Sequence, residues 1–263
     1  MAKFCSLFSG SSGNCTYISA NNTGILIDAG VSAKRIETAL MERNVAPSSI
    51  QAIFVTHEHS DHICGVRVFA KKYGCEVYGT SGTLTGMEDN GVILNDHYHS
   101  ISSEKTLAVG DLEIAWIRTP HDVLESCAYV VQTPDERRIA VATDMGHITG
   151  EIKAVLSGCD YVLLESNHDE KMLKAGPYPP FLQKRILGPL GHLSNDTCST
   201  LLPELVKSGV SQITLGHLSQ QNNKPTLAEQ TAVNALEEAG CVRDTDYRLS
   251  VAKQISDSPI IWI

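Results

Sequence analysis

The stretch Thr56-His57-Glu58-His59-Ser60-Asp61-His62 directly follows an apolar run over residues 52–55. Side chains two positions apart on an extended backbone point the same way, so His57 and His59 can hold one cation. A turn after the strand lets the remaining aspartate and histidine reach toward a second cation. Imidazole and carboxylate groups at this density suit zinc or a neighbouring first-row metal. The alternative, a solvated histidine-rich loop, fits poorly with three histidines and an aspartate immediately after a buried strand.

Three more candidate ligands follow predicted strands farther along the chain: His121, Asp144 and His217. Taken singly, each has an ordinary explanation, since a histidine beside proline is commonly structural and an aspartate after a strand commonly forms a turn. Ligands at the ends of successive strands, however, can converge on one edge of a sandwich. We therefore expect these residues to complete two metal sites, with Asp144 able to bridge two ions through its two oxygens.

Composition limits the function classes. The 263 residues carry 21 Lys and Arg against 30 Asp and Glu, a formal charge of -9, so any contact with nucleic acid must be local. None of the eight cysteines forms a C-x-x-C pair, which argues against a zinc ribbon or thioredoxin motif and favours reduced thiols in the cytoplasm. Apolar runs are far shorter than the roughly 20 residues that span a bilayer, so we expect no membrane association.

Hydrophobic periodicity predicts strands and helices mixed in both halves of the chain. The predicted strands cover residues 4–8, 16–19, 24–27, 52–56, 112–118, 128–133, 138–143, 161–165 and 212–215. The predicted helices cover residues 33–43, 65–73, 148–156, 195–207 and 226–239. With no linker or repeat between them, these elements predict a single domain over residues 1–263, with two sheets covered by helices.

The ordered set of candidate ligands resembles that of the metallo-β-lactamase-fold superfamily, whose hallmark is H-x-H-x-D-H. The resemblance implies an α/β fold, an αββα four-layer sandwich of two mixed sheets flanked by helices. By the same resemblance, the first metal is held by His57, His59 and His121, the second by Asp61, His62 and His217, and both by the bridging Asp144. The stretch Leu26-Ile27-Asp28-Ala29-Gly30 is similar to the superfamily's early Asp motif, in which the carboxylate is structural.

Five segments together resemble the WalJ/YycJ-type family, regarded as 5′-to-3′ DNA exonucleases with two divalent metals. These segments are residues 9–14, 56–62, 165–169, 191–195 and 217–219. The resemblance implies a phosphodiesterase acting at the 5′ end of DNA, with zinc as the expected metal and manganese or iron as alternatives. Two ions can lower the pKa of a bridging water, so the expected nucleophile is a metal-bridging hydroxide, oriented by Asp61.

Glu165-Ser166-Asn167-His168 looks like the segment of superfamily phosphodiesterases, tRNase Z among them, that carries a non-ligand histidine. We therefore expect His168 to be the general acid that protonates the departing 3′ oxygen, with Glu165 fixing its tautomer. The alternative is that His168 only satisfies backbone groups of its loop.

Two segments are candidates for phosphate binding. Residues 9–14 form a Gly- and Ser-rich loop whose backbone N–H groups can approach an anion, although a plain tight turn explains it equally well. Residues 191–195 precede a predicted helix, whose N-terminus is an anion site by geometry, although ordinary capping explains the same residues. The candidate side chains are Ser9, Ser11, Ser12 and Asn14 in the first segment, and His192, Ser194 and Asn195 in the second.

A local cationic run stands out on this acidic chain. Its members are Lys171, Lys174, Lys184 and Arg185, with Tyr178 and Phe181 between them. Such a run supplies charge and stacking surface for nucleic acid, although solvated helix faces with core aromatics explain it as well. A small-molecule hydrolase of thioesters, lactones or lactams is the second enzyme hypothesis, and a structural-metal interaction module is the third. The sequence leaves metal identity, strandedness, DNA against RNA and oligomeric state open.

Overall fold

The computed structural model describes residues 2–92, 97–102, 105–255 and 258–263. The described strands are β1 (Ala2–Phe8), β2 (Cys15–Ala20), β3 (Thr23–Ile27), β4 (Ile50–Phe54), β5 (Glu76–Gly79), β6 (Tyr98–Ser100), β7 (Thr106–Val109), β8 (Leu112–Arg118), β9 (Cys127–Gln132), β10 (Arg138–Ala142), β11 (Tyr161–Glu165), β12 (Gln212–Gly216), β13 (Arg248–Val251) and β14 (Ile261–Trp262). The described helices are α1 (Ala33–Met41), α2 (Ser60–Ile63), α3 (Val66–Tyr73), α4 (Ser81–Asp89), α5 (Gly150–Leu156), α6 (Glu170–Ala175), α7 (Pro180–Ile186), α8 (Asn195–Lys207) and α9 (Pro225–Glu238).

The strands form two seven-stranded sheets, and both sheets are mixed. The first has the order β14-β1-β2-β3-β4-β5-β6, with antiparallel pairs from β14 to β3 and parallel pairs from β3 to β6. The second has the order β13-β12-β11-β10-β9-β8-β7, in which β10 to β13 are parallel and β7 pairs with β8 antiparallel. Two mixed sheets with accompanying helices confirm the α/β class expected from the sequence.

The chain divides into two compact units. The first contains Met1–Trp116, Val123–Arg137 and Lys253–Ile263, and the second contains Ile117–Asp122 and Arg138–Ala252. The expectation of a single domain over residues 1–263 stays a prediction. Among the described residues, no helix combines the length and apolarity needed to cross a membrane.

Most predicted elements are confirmed within two residues of their expected bounds. In α1 the buried face is Ala33, Ile36, Ala39 and Leu40, the spacing of one helical stripe. The α3 helix ends at Gly74, which adopts a left-handed φ of 69°. Among the elements that the sequence pattern did not predict are α6 and α7, which are short and bury few side chains, so they leave little periodic signal.

Parallel pairing brings chemistry-bearing residues to common edges. In the first unit β3 pairs with β4 in parallel, Ile27 opposite Phe54, so the residues after both strands leave the sheet side by side. In the second unit β10, β11 and β12 run parallel, with Ala142 opposite Leu164 and Glu165 opposite Gly216. The carboxyl ends of parallel strands meet at one edge, where ligand groups from distant parts of the chain can gather.

Candidate active site

His57 and His59 lie together in the first unit. Nε2 of His57 is 3.0 Å from Nδ1 of His59, and His57 is fully buried. Two nitrogens bound to one tetrahedral zinc at about 2.05 Å each would stand about 3.3 Å apart. The observed separation is close to that value, and the expectation that this pair holds one cation stays a prediction.

Asp28 orients His62. The Asp28 carboxylate accepts hydrogen bonds from the backbone N–H of Thr56 at 2.8 Å and from Nδ1 of His62 at 2.8 Å. Because a carboxylate only accepts, the proton of the His62 ring sits on Nδ1, which leaves Nε2 as the nitrogen with a lone pair for a metal. Asp28 has a left-handed φ of 60°, a conformation that aspartate tolerates better than most residues. These two hydrogen bonds explain how Asp28 can play the structural role that the resemblance implies: it orients the His62 ring.

Asn14 connects the 9–14 loop to the histidine motif. Its Nδ2 lies 3.0 Å from Nε2 of His62 and 3.5 Å from Oδ2 of Asp61, and its Oδ1 accepts from the backbone N–H of Gly10. Ser9 is buried, whereas Ser11 and Ser12 are exposed. The structure therefore brings Asn14 beside the candidate ligands, while Ser11 and Ser12 remain at the surface.

Two candidate ligands of the second unit leave their strands in a left-handed conformation. Asp144 follows β10 with φ 59°, and His217 follows β12 with φ 55°. Non-glycine residues adopt this region rarely, and such strain is characteristically found at functional sites. Both side chains are buried, and Oδ1 of Asp144 lies 3.4 Å from Nδ1 of His217.

Glu165 is the centre of the hydrogen-bond network in the second unit. Its Oε1 accepts from Nδ1 of His192 at 2.8 Å and from Nδ1 of His217 at 2.9 Å. Its Oε2 accepts from the backbone N–H groups of Met145 at 2.9 Å and Leu193 at 3.2 Å. Burial opposes ionisation, but the two imidazoles outweigh it and hold the pKa of Glu165 well below its usual range. An ionised, fully buried carboxylate thus fixes the tautomers of two histidines.

His121 also has a fixed ring orientation. Its Nδ1 lies 3.1 Å from the carbonyl oxygen of Gly191, so Nδ1 donates and Nε2 is the nitrogen left for a metal. That Nε2 is 3.9 Å from Oδ1 of Asp144. The two predicted ligands therefore converge within the second unit.

His192 lies among the candidate ligands of this unit. Its ring centroid is 5.1 Å from that of His121 and 5.4 Å from that of His217, and its Nδ1 is 3.5 Å from Oδ1 of Asp144. Its side chain is 18% exposed, so it remains open to a substrate. Sequence reasoning placed His192 with the phosphate-binding residues and missed its pairing with Glu165, because the two residues are 27 positions apart in the sequence.

The donor set of the second unit fits a divalent metal. Asp144, Glu165, His192 and His217 each offer a ligand atom within 4.8 Å of the others, but Glu165 already accepts four hydrogen bonds and therefore orients the imidazoles instead of serving as a ligand. Buried carboxylate oxygens and imidazole nitrogens are the ligands that zinc, manganese and iron take in proteins. The cluster supports divalent metal binding and does not select among these metals.

His168 stands apart from this network. Both of its ring nitrogens are buried without a hydrogen-bond partner among the described residues, and burial lowers its pKa from 6.5 to about 4. The expectation that Glu165 fixes the His168 tautomer is wrong, because both Glu165 oxygens are occupied by His192, His217 and two backbone N–H groups. Sequence proximity to Glu165 did not translate into contact.

The remaining candidate residues have identifiable structural partners. Oγ of Ser194 accepts from the backbone N–H of Thr197 and caps α8. The Asn195 side chain is buried against Ser166 and Asn223. In the cationic run, Lys174 pairs with Glu170 and Arg185 pairs with Asp122.

Comparison with known proteins identifies the class. A family model described as the β-lactamase superfamily domain matches residues 23–236. The metallo-β-lactamase fold protein YhfI from Bacillus subtilis is 15% identical with a TM-score of 0.71, covering 97% of this chain and 98% of that chain. Zn²⁺-bound PqqB from Methylobacterium extorquens is 18% identical with a TM-score of 0.72, covering 100% of both chains. These matches, with the histidine and carboxylate clusters, define a domain of the metallo-β-lactamase fold.

A full-length relative narrows the assignment. The exodeoxyribonuclease WalJ of Streptococcus pneumoniae is 36% identical over 264 residues, covering 99% of this chain and 98% of that protein. The chain belongs to the WalJ/YycJ exodeoxyribonuclease family within the β-lactamase superfamily. The resemblance inferred from its motifs is therefore confirmed, and the chain is an enzyme of hydrolase type.

Proposed function

We propose that this enzyme is a dinuclear metal-dependent phosphodiesterase that removes mononucleotides from the 5′ end of DNA. The observation that carries the proposal is the contact between Glu165 and His192, which places an oriented, accessible imidazole beside the candidate ligand Asp144. Such an imidazole suits a reaction whose leaving group needs a proton. Full-length similarity to an exodeoxyribonuclease supports DNA as the substrate.

Seven residues would hold the two metals. The first ion would be held by His57, His59 and His121, the second by Asp61, His62 and His217, and Asp144 would be shared between them. When bound, two such ions activate a water molecule and neutralise charge on the phosphate oxygens. Zinc suits the donor set, and manganese or iron is compatible with it. The tautomers fixed by Asp28 and Glu165 agree with this assignment, because each puts the ring proton on Nδ1. At His62, the Asn14 amide that lies 3.0 Å from Nε2 would have to give way to the metal.

Three further roles fall to residues of this chain. Asp61 orients the attacking water as well as binding metal. His192, held through Nδ1 by Glu165, protonates the departing 3′ oxygen from Nε2 when its ring carries a proton on both nitrogens. Its exposure and contacts support this role better than those of His168. Asn14, beside Asp61 and His62, contacts a phosphate oxygen once substrate binds. The phosphate-binding role predicted for Ser9, Ser11, Ser12, Ser194 and Asn195 belongs to the same proposal.

The site of action we propose is the cytoplasm. None of the eight cysteines, all of them within the described residues, forms a disulfide, and only Cys64 is exposed. Buried cysteines outside disulfides are characteristic of proteins that stay in a reducing compartment.

The decisive experiment offers metal-loaded enzyme matched oligonucleotides of DNA and RNA with 5′-phosphate or 5′-hydroxyl ends, together with a thioester and a lactam. We expect stepwise release of mononucleotides, fastest from 5′-phosphorylated DNA, and its abolition by Asp144→Ala. Turnover of the thioester or lactam without nucleotide release would instead establish the small-molecule hydrolase that the net charge of -9 favours.

A further inference from the structure

An exposed apolar surface lies on α7 in the second unit. Pro180, Phe181, Leu187 and Pro189 line, with Lys184 and Arg185, an open groove of about 810 Å³, which we call the α7 surface. Phe181 is 75% exposed, an unusual state for a phenylalanine, which ordinarily contributes its large apolar area to a core. An exposed apolar surface of this kind can mark a binding site, and the charged residues around it indicate which kind of partner binds there.

The α7 surface offers a polyanion one cation, Lys184, that lies outside any ion pair among the described residues. Residues 171–190 contain four Lys and Arg and no Asp or Glu, in a chain whose formal charge is -9. Lys184 is exposed and forms no ion pair within the described part of the chain. Arg185 pairs with Asp122, which fixes its guanidinium at the edge of the groove. An exposed aromatic ring next to a free cation is the pairing that single-stranded nucleic acid uses for base stacking and phosphate contact.

The same segment is joined to the candidate active site. The backbone N–H of His192 donates to the carbonyl of Ile186 at 3.0 Å, so the last turn of α7 positions the proposed proton donor. At Gly191 a Cβ atom would lie 2.1 Å from the Ile186 carbonyl oxygen, so only glycine permits this approach. Arg185 reaches Asp122, the neighbour of His121. The α7 surface is therefore directly connected, through Ile186 and Arg185, to the segments that carry His192 and His121.

We propose that the α7 surface binds the substrate strand beyond the scissile phosphate, with Phe181 stacking on a base and Lys184 contacting a phosphate. The inference rests on the proposed nuclease function and names the single-stranded form of the substrate at that site. Stacking tolerates every base, because each has a π-face, and so suits an enzyme that proceeds along a strand regardless of sequence.

The test compares two substrates of the metal-loaded enzyme: a 5′-phosphorylated single-stranded DNA 12-mer and the p-nitrophenyl ester of thymidine 5′-monophosphate, which lacks a following strand. In Phe181→Ala we expect the kcat/KM preference for the 12-mer over the ester to shrink about tenfold, the effect of one lost stacked base. Phe181→Trp should restore it. In Lys184→Ala the slope of log kcat/KM against log salt concentration should become shallower by about 0.7, the value for one lost phosphate contact.

Val242→Ala is the matched control. Val242 is 56% exposed in the same unit, in the turn that precedes β13 at the opposite edge of the parallel strands, and we expect both substrates to behave as in the unmodified enzyme. If the kcat/KM preference for the 12-mer over the ester in Phe181→Ala stays within twofold of the unmodified value, the inference is wrong, and a protein partner becomes the better explanation of the exposed surface. An equal loss on both substrates would overturn it as well, because it would indicate a distorted active site. If the unmodified enzyme cleaves no oligonucleotide, the proposed function itself fails.

Discussion

Oε1 of Glu165 lies 2.8 Å from Nδ1 of His192, a residue 27 positions away in the sequence. The contact fixes the proton of His192 on Nδ1 and turns Nε2 outward, as in catalytic imidazoles that are oriented by a carboxylate. The same oxygen holds His217, so one buried carboxylate orients both a candidate ligand and a candidate acid. This shared hydrogen-bond acceptor explains why the chain places an ionised group in a fully buried position.

His192→Ala should slow release of nucleotides from an oligonucleotide about 10²- to 10⁴-fold, because its leaving alkoxide would no longer receive a proton. Cleavage of a p-nitrophenyl ester should suffer far less, since that leaving group departs without protonation. Steady-state rates on both substrates give the comparison.

His168→Asn provides the contrast, because His168 lies buried outside the network. We expect it to retain the leaving-group pattern of the unmodified enzyme. A selective loss on the oligonucleotide in His168→Asn, with His192→Ala unaffected, would return the acid role to His168.

Glu165→Gln should destabilise the cluster. The four hydrogen bonds that described residues make to this carboxylate come from N–H donors, two on each oxygen, so an amide NH₂ must face two donors in either orientation. We expect a loss of about 2 kcal/mol in the free energy of unfolding and metal affinity lower by about 10- to 100-fold. Urea unfolding and metal analysis measure the two effects. Glu204→Gln, which alters an exposed pair with Lys153, should change neither; equal behaviour of the two variants would contradict the role of Glu165.

Replacement of Asp144 should separate charge from backbone strain. Asn tolerates the left-handed φ of 59° nearly as well as Asp, whereas Ala in this region costs about 1 kcal/mol more. Both Asp144→Asn and Asp144→Ala should lose bound metal and nuclease activity, but only the alanine variant should lose this additional stability. Thermal unfolding of the two metal-free proteins checks the difference, and an active Asp144→Asn enzyme with full metal content would refute Asp144 as a ligand.

His168 should make stability fall in mild acid. Its pKa is lowered from 6.5 to about 4 by burial, so the unfolded chain binds a proton that the folded chain rejects. The stabilisation from neutral His168 is complete above pH 6.5 and declines as the pH falls toward 4. Between pH 7 and pH 5 the expected loss is about 2 kcal/mol.

Urea unfolding of metal-free protein at both pH values measures this loss, with chelator present so that metal release does not contribute. In His168→Asn the pH-dependent loss should be smaller by about that amount, since the titrating group is gone. An identical pH dependence in the two proteins would show that His168 retains its ordinary pKa in the folded state.

Local pattern predicted much of the fold. Apolar runs of four to seven residues bounded by turn residues indicated β1, β2, β3, β8 and β11, because strand formation leaves a signal within a few neighbouring residues. The capping serine of α8 and the terminal glycine of α3 were likewise local features. The short helices α6 and α7 escaped prediction because their side chains are largely exposed and carry no periodic apolar face.

The sequence by itself predicted the candidate ligand types and their order, since a histidine motif after a buried strand requires only short-range geometry. Tertiary structure decided which groups Glu165 contacts. The parallel register of β11 and β12 sets Glu165 opposite Gly216, so His217, 52 residues away in the sequence, becomes its neighbour. The side chain of His168, only three residues from Glu165, is buried elsewhere and makes no hydrogen bond to it. Hydrogen-bond partners follow strand pairing and side-chain direction, and neither is encoded in the distance between two residues along the chain.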